Sequence, residues 1–252
     1  MSDSKERFSN RVEDYVKYRP GYPREAIDDL YESTGLTPSS EIADVGAGTG
    51  IFSRLLLERG SRVTAVEPNL AMRKAAEEAL GGDPNFRAVP GSAEATGLGD
   101  ASVDLIVCAQ SFHWFDQAAA KVEFRRILKP GRQAALIWNS RLTSGTPFLE
   151  QYEQLLHRFG TDYAKVNHRN VSHKALIGFF KEGTMREKRY RNRQIFDFEG
   201  LRGRLLSSSY SPVPEEPNHE PMLRELRALF DRTQQDGRVF FDYETEVYAG
   251  EV

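Results

Sequence analysis

The stretch EIADVGAGTGIF at residues 41–52 decides the fold. Its first half is apolar and predicts a buried strand, and Gly46, Gly48 and Gly50 follow at alternate positions. A strand, a glycine turn and a helix in this order are typical of a nucleotide-binding βα unit. Ile51 stands where the dinucleotide fingerprint has its third glycine, and no phosphate-binding lysine follows. The turn therefore disfavours a pyrophosphate and excludes a P-loop.

An acidic residue closes the second predicted strand at a spacing that suits a ribose. Glu67 lies 21 positions after Gly46, close to the roughly 20 at which a carboxylate reaches ribose hydroxyls in such folds. A carboxylate there accepts from both the 2′- and the 3′-hydroxyl. The alternative is that the glycines serve only a tight turn, and Glu67 in register weakens it.

Short apolar runs alternate with helical patterns through the first half, which predicts a parallel sheet wound with helices. Two helices have clear N-caps, Asn69 and Asp116. The first carries Leu70 in its apolar stripe and is expected to end at Gly81 as a left-handed cap; the second stops near Pro130. The predicted strands are Glu41–Val45, Arg62–Val66, Asn85–Val89, Val103–Cys108 and Gln133–Trp138.

The second half of the chain is less regular. Residues 141–185 have the pattern of helices joined by loops. Residues 186–198 alternate in the manner of a strand, and residues 220–237 form an amphipathic pattern closed by Gly237. Residues 238–250 predict a closing strand.

Composition limits the class of protein. With 252 residues, 39% hydrophobic and 28% charged, the chain is expected to be soluble and globular. A net charge of -3 disfavours a nucleic-acid partner, because sequence-independent binding usually needs a basic surface. No apolar run reaches the roughly 18 residues of a membrane span, and the charged start is unlike a signal peptide. We expect no membrane association and a cytoplasmic location.

Metal and disulfide chemistry find no support in the sequence. Cys108 is the single cysteine, so neither a disulfide framework nor a thiolate metal cluster is available. The histidines outside residues 109–116 lack metal-ligand spacing, and no metal is predicted. They are His157, His168, His173 and His219.

Three segments in order resemble one family. IADVGAGTG, TAVEPNLAM and GSAEATGLGDASVDLIVCAQSFHWF resemble the core of class I S-adenosylmethionine-dependent methyltransferases. The likeness is greatest to the type 11 branch, which includes trans-aconitate methyltransferase, and it is strong over residues 41–138. It implies an α/β fold with a doubly wound, mostly parallel seven-stranded sheet, an antiparallel last strand and a helical cap insertion.

The resemblance also implies how one domain, residues 1–252, is organised. Lid helices span 1–36, with Phe8, Val12 and Tyr15 on one face of the first. A cofactor-binding core spans 37–140, a substrate cap spans 141–187, and residues 188–252 complete the sheet.

S-adenosyl-L-methionine is the cofactor that the resemblance implies, with S-adenosyl-L-homocysteine as product. The glycine turn meets the methionine portion, Glu67 the ribose, Ser92 and Ala93 the adenine, and Arg19 the carboxylate. Glu94 either joins the adenine contacts or serves as a loop charge or helix cap. The implied cofactor-binding residues are Asp44, Gly46, Ala47, Gly48, Gly50, Glu67, Pro68, Ser92, Ala93, Glu94, Gln110, Phe112, Tyr18 and Arg19.

The segment AQSFHWFD, residues 109–116, is expected to face the transferred methyl group. His113 is the catalytic candidate as a general base, and the alternative is that it only shapes the pocket. A base is needed only if the acceptor arrives protonated. Trp114, Arg141 and Tyr210 are the substrate-contacting candidates.

The sequence thus predicts a methyltransferase for a small molecule, and whether that molecule is anionic stays open. A basic group in the cap could gather such an anion: Arg141, Lys165, His168, Arg169, His173 and Lys174. Two alternatives remain at this point. One is an RNA or protein methyltransferase that uses the basic residues 186–193; the other is a non-catalytic S-adenosylmethionine-binding protein. The acceptor atom and the oligomeric state stay open.

Overall fold

The computed structural model describes residues 16–161, 163 and 171–252. Its helices are α1 (Arg24–Thr34), α2 (Ile51–Leu57), α3 (Leu70–Leu80), α4 (Gln117–Ile127), α5 (Pro147–Phe159), α6 (His173–Phe179), α7 (Phe198–Leu206) and α8 (His219–Thr233). Its strands are β1 (Glu41–Val45), β2 (Arg62–Val66), β3 (Phe86–Val89), β4 (Val103–Ala109), β5 (Leu128–Arg141), β6 (Arg186–Phe196) and β7 (Val239–Gly250). None of the helices in these ranges has the length and apolar character needed to cross a membrane.

All seven strands form one sheet in the order β3-β2-β1-β4-β5-β7-β6. The first five are parallel, and β7 runs antiparallel between β5 and β6. This confirms the predicted seven-stranded, mostly parallel sheet with its last strand inserted antiparallel. The strand order reverses direction between β1 and β4, and that switch point is where ligands of open α/β sheets bind.

Strand β5 is longer than predicted. It starts at Leu128, which pairs with Val103 of β4, and it ends at Arg141, because β7 pairs with it up to Tyr243. Strands β1 and β2 have the predicted bounds. The extra length of β5 carries Arg141 out past the carboxyl edge of its neighbours.

The predicted N-caps are confirmed, Gly81 is confirmed as the end of α3 but not as a left-handed residue, and Gly237 does not close α8. Asn69 accepts a hydrogen bond from the Met72 amide at 3.0 Å. Gly81 is right-handed, with φ -63°, because its N–H continues the helical hydrogen bonding to a carbonyl of α3. Leu70 is 56% exposed, outside the buried stripe of α3. Gly237 lies in the turn before β7, while α8 has already ended at Thr233.

Helices cover both faces of the sheet. Helices α1, α2 and α3 bury apolar side chains such as Leu30, Leu56 and Leu80 against one face. Helices α4 and α6 cover the other face with Phe124 and Phe179. Burial of apolar surface on both faces is what holds a parallel sheet of this kind together.

A third apolar cluster forms a cap beside the sheet. Helices α5, α7 and α8 pack on the first half of β7, with Tyr152, Leu205, Leu226 and Phe241 fully buried between them. Helix α6 packs on the face of the sheet rather than in this cluster. The insertion after β5 therefore supplies one helix to the cap and one to the sheet, and the end of the chain completes the cap.

Candidate functional site

A cavity of about 260 Å³ lies at the carboxyl ends of β1, β2, β4 and β5 and reaches under the cap. Most of the predicted site residues line it. From the predicted cofactor set these are Arg19, Gly46, Ala47, Gly48, Glu67, Pro68, Ser92, Ala93, Glu94 and Gln110. The predicted catalytic and substrate residues His113, Trp114, Arg141 and Tyr210 line it as well.

Gly46 and Gly48 in the glycine turn both have a positive φ, and Gly46 also lies against a neighbouring side chain. Gly46 has φ 71°, and a Cβ added there would stand 2.5 Å from the Ser111 Cβ. Gly48 has φ 58°, and a Cβ added there would meet no atom within 4 Å. Because L side chains avoid this region of φ, both positions favour glycine. The bare backbone at Gly48 leaves open space beside the cavity.

Glu67 ties the turn to the end of β2. Its Oε2 accepts the Gly48 N–H at 2.8 Å, and its Oε1 accepts the Asn69 N–H at 2.8 Å. Burial raises the pKa of Glu67, and the two backbone hydrogen bonds oppose that rise. A carboxylate has about four acceptor positions, so the side chain can still accept two hydroxyl hydrogens from the cavity side.

Asp44 lies beneath the turn, fully buried and outside the cavity lining. Its Oδ2 accepts the Ser53 hydroxyl at 2.6 Å, while its Oδ1 has no hydrogen-bond partner among the described residues. Burial raises the pKa of Asp44 to about 7, against the Ser53 hydrogen bond and with the charge of Glu67 adding to the rise. A buried carboxyl group whose pKa lies near neutral pH becomes ionised when a cation binds close to it.

Besides Asp44, three residues of the predicted cofactor set do not line the cavity. Gly50 faces α3, where an added Cβ would stand 2.6 Å from Leu80. Phe112 is fully buried and packs edge-on to Phe179 at 4.7 Å, because the short 3₁₀ turn after β4 directs its ring into the core. Tyr18 packs directly on the bare backbone of Gly203 in α7.

The loop after β3 presents Ser92, Ala93 and Glu94 to the cavity. The Glu94 carboxylate also accepts the Asp116 N–H at 2.9 Å, so it anchors the start of α4. Farther along the loop, Thr96 donates to Glu123 of α4 through its N–H at 2.9 Å and through its hydroxyl. These contacts fix the loop to α4.

The end of β4 has an unusual backbone. Gln110 adopts φ 63°, although it is not a glycine, and its amide side chain donates to the Asn139 carbonyl at 3.3 Å. Such a conformation costs energy and is concentrated at functional sites. The Trp138 indole N–H points at His113 Nδ1 at 3.5 Å. In the neutral ring this contact places the proton of His113 on Nε2.

The part of the cavity under the cap contains a buried ion pair. Arg141 is 9% exposed and donates to Glu153 of α5. The Tyr163 hydroxyl donates to the same carboxylate at 2.8 Å and accepts from Arg141 at 3.2 Å. Burial of Arg141 disfavours its charge, but the surrounding tyrosines and Glu153 outweigh burial and raise its pKa.

Arg204 of α7 is a second buried guanidinium on this side, and sequence reasoning missed it. It is 6% exposed and lines the cavity. Its Nε donates to the Tyr243 hydroxyl at 3.2 Å and its Nη1 to Ser208 at 2.9 Å. Among the described residues no carboxylate lies within ion-pair distance of it. Burial would raise the pKa of Tyr210, but Arg204 and the other cavity arginines outweigh burial and lower it.

A segment near the N-terminus closes one side of the cavity. The Gly21 carbonyl accepts from Asn139 at 3.0 Å and from Asn192 at 2.8 Å. Arg19 donates to the Ser207 carbonyl at 2.9 Å. Sequence reasoning did not identify Asn139, whose role depends on contacts with distant strands.

Several predicted residues lie elsewhere or outside the described part of the chain. His173 and Lys174 are exposed on α6 and do not line the cavity. Six further residues belong to stretches that the structure does not describe: Phe8, Val12, Tyr15, Lys165, His168 and Arg169. Within the described ranges, no three His, Cys, Asp or Glu side chains gather as metal ligands.

Comparison with known proteins gives a consistent result. Residues 43–136 match the family model described as a methyltransferase domain. An uncharacterized methyltransferase of Schizosaccharomyces pombe is 31% identical over 251 residues, which cover 97% of this chain and 96% of that protein. An uncharacterized methyltransferase of Mycobacterium tuberculosis is 41% identical over 134 residues, about half of each chain. A solved structure of a putative type II methyltransferase from Anaeromyxobacter dehalogenans superposes with a TM-score of 0.71 at 25% identity, covering 93% of this chain and 98% of that one.

Proposed function

The chain belongs to the S-adenosylmethionine-dependent methyltransferases, and from that membership we propose that its methyl acceptor is a small, anionic molecule. As part of this proposal we place it in the branch that includes trans-aconitate methyltransferase, on the resemblance of residues 41–138. The observation that carries the acceptor class is Arg204, a buried guanidinium on the cavity with neutral partners.

The cavity fits the cofactor on features of its own. When bound, S-adenosylmethionine supplies the methyl group on its sulfonium. Gly48 leaves the backbone bare beside the cavity, and Glu67 keeps acceptor positions for the two ribose hydroxyls. The unpartnered Oδ1 of Asp44 lies below the same turn, where it favours a cationic ligand. We assign Ser92 and Ala93 to the adenine and Arg19 to the carboxylate of the cofactor.

A buried cation without a counter-charge is costly, and an anionic ligand removes that cost. Arg204 has this character, and a planar guanidinium can bind a carboxylate in two places. Tyr210, which also lines the cavity, adds a hydroxyl that can donate to the same anion. Arg204 lies on helix α7 of the cap and Tyr210 follows that helix, whereas the glycine turn follows β1. The acceptor is therefore held by its charge under the cap.

The catalytic work assigned to the protein is orientation and exclusion of water. An ionised acceptor oxygen needs no base, and holding it in line supplies a large part of the rate. His113 lines the cavity, and when its Nδ1 accepts from Trp138 the neutral ring carries its proton on Nε2, so that nitrogen is a donor and not a base. The general-base role predicted for His113 gains no support from this arrangement, and the proposal does not require it.

The basic strand β6 does not favour an RNA substrate. Most of its cations are engaged with neighbours in the fold, so they form a neutralised surface rather than a phosphate-binding strip. The ion pairs are Lys188 with Asp29 at 2.5 Å, Arg189 with Glu244 at 2.6 Å and Arg193 with Asp242 at 2.5 Å.

The test follows a labelled methyl group. S-adenosylmethionine labelled on the methyl is incubated with total RNA, total protein, and anionic and non-anionic metabolite fractions separated on an exchange resin. We expect the label in the anionic metabolites. Label in RNA, in protein or in the non-anionic metabolites would contradict the proposed acceptor.

Arg204→Gln provides the matched variant. It should lower labelling of the anionic fraction by about tenfold or more, because a hydrogen-bonded charge contact contributes roughly 1.5–3 kcal/mol. Affinity for S-adenosylhomocysteine, measured by calorimetry, should stay unchanged. Arg202→Gln is the control, since Arg202 lies on the same helix, is 47% exposed and pairs only loosely with Glu199 at 3.7 Å.

A further inference from the structure

The two guanidiniums at the acceptor end of the cavity differ in charge balance. Arg141 is paired with the carboxylate of Glu153. Arg204 donates to hydroxyl groups, which carry no charge. Both are more than nine-tenths buried, so solvent screens neither of them well. The positive charge that an acceptor meets therefore depends on how far Glu153 neutralises Arg141.

Glu153 is held in place by three neighbours. It belongs to α5 and stands behind Arg141, outside the described lining of the cavity. Its Oε1 and Oε2 accept the Tyr163 hydroxyl at 3.0 and 2.8 Å. His157 of the same helix approaches Oε1 at 3.3 Å. With its side chain 18% exposed, Glu153 is fixed close to Arg141 and shielded from most of the solvent.

We propose that Glu153 determines which acceptor charge the site prefers, because its carboxylate neutralises the guanidinium of Arg141. Of the described arginines that line the cavity, Arg141 is then neutralised and Arg19 is assigned to the cofactor, which leaves Arg204 to face the acceptor. Such a site selects a monoanion over a dianion. Glu153 does not touch the acceptor; it is a positioning residue that acts through Arg141. This inference rests on the proposed function, because it presupposes an anionic acceptor under the cap.

The structure offers two variants with opposite expected effects. Glu153→Gln keeps the shape of the side chain and leaves the charge of Arg141 uncancelled, so a second negative charge on the acceptor becomes favourable. Arg141→Gln leaves the carboxylate of Glu153 uncancelled, so negative charge on the acceptor becomes unfavourable. Damage to the fold would lower every activity and would not move the charge preference in opposite directions. Glu150→Gln is the control, since Glu150 lies exposed on the same helix.

The experiment uses the full chain and methyl-labelled S-adenosylmethionine. A metabolite extract is separated by ion exchange into uncharged, singly charged and doubly charged anionic pools, and kcat/KM is measured for each. The wild type and Glu150→Gln should prefer the singly charged pool. Glu153→Gln should shift the ratio toward the doubly charged pool by about tenfold or more, and Arg141→Gln should shift it toward the uncharged pool.

Each result has a distinct meaning. A wild type that prefers the doubly charged pool, or a Glu153→Gln variant with an unchanged ratio, would overturn the inference while leaving an anionic acceptor in place. Wild-type label confined to RNA, protein or the uncharged pool would instead contradict the proposed function. Thermal unfolding of all variants shows whether a loss of activity comes with a loss of fold.

Discussion

Asp44 offers a direct test of the physical reasoning, through the substitution Asp44→Asn. The wild-type carboxyl is fully buried, and its pKa is raised to about 7. In the unfolded chain the same group titrates near 3.8. The asparagine keeps an oxygen to accept the Ser53 hydroxyl but cannot ionise. Comparing the two proteins across pH therefore measures the free energy of ionising this buried group, including its repulsion with Glu67.

The sign and size follow from the two pKa values. Because the folded value is the higher one, the stability that the neutral carboxyl contributes is present at low pH and is lost as pH rises from about 4 to about 7. Between pH 5 and pH 8 the wild type should lose about 2.5 kcal/mol of unfolding free energy relative to Asp44→Asn. Any pH-independent cost of the asparagine cancels in this difference.

Urea unfolding at pH 5 and pH 8, followed by far-UV circular dichroism, measures the quantity. The exposed substitution Glu78→Gln on α3 is the control and should leave the pH dependence of the wild type unchanged. A gap between wild type and Asp44→Asn that is constant across pH would refute the reasoning. A wild type that gains stability relative to the variant as pH rises would refute it equally.

Three further predictions concern Glu67 at the glycine turn, Phe112 in the core and Glu123, which holds the loop after β3. Glu67→Ala removes the acceptor of two backbone N–H groups at the cavity. It should weaken S-adenosylhomocysteine binding by about tenfold or more in calorimetry, whereas Glu78→Ala should not. Phe112→Ala should cost about 3–5 kcal/mol in urea unfolding, because the ring is fully buried; a cost below about 1 kcal/mol would contradict its place in the core. The Arg126 and Thr96 contacts lower the pKa of Glu123 to about 2 from 4.5. The stability advantage of the wild type over Glu123→Gln should therefore be full above pH 4.5 and shrink toward pH 2. An advantage that does not shrink would contradict the stabilising contacts of Glu123 with Arg126 and Thr96.

The parts of the fold that depend on neighbouring residues could be predicted from the sequence. The bounds of β1 and β2 follow from apolar runs that end in turn residues. The caps Asn69 and Asp116 bond amides within the next three residues. The contact between Gly48 and Glu67 could be anticipated because parallel strands end at a common edge.

The part of the site under the cap could not be predicted in the same way. Arg204 lies on a short helix, and its partner Tyr243 is 39 residues away on β7. Glu153 and Arg141 meet only because β5 extends beyond the sheet and α5 folds back over its end. Phe112 follows β4 as expected for a cofactor contact, but the 3₁₀ turn directs its ring inward. In each case tertiary packing, rather than local pattern, decides where the side chain lies.

The length of β5 also bears on how such enzymes diversify. One strand of 14 residues runs from the centre of the sheet to Arg141, and β7 accompanies it on one side. On the proposed assignment, the part that binds the methyl donor and the part that binds the acceptor thus share a rigid ladder, while α5, α7 and α8 pack on one another and on the first half of β7. No residue of α5 or α8 lines the cavity, so mutations in these two helices can accumulate with little effect on donor recognition. A lineage built on this plan can acquire new acceptors by remodelling one end of the molecule and inheriting the other.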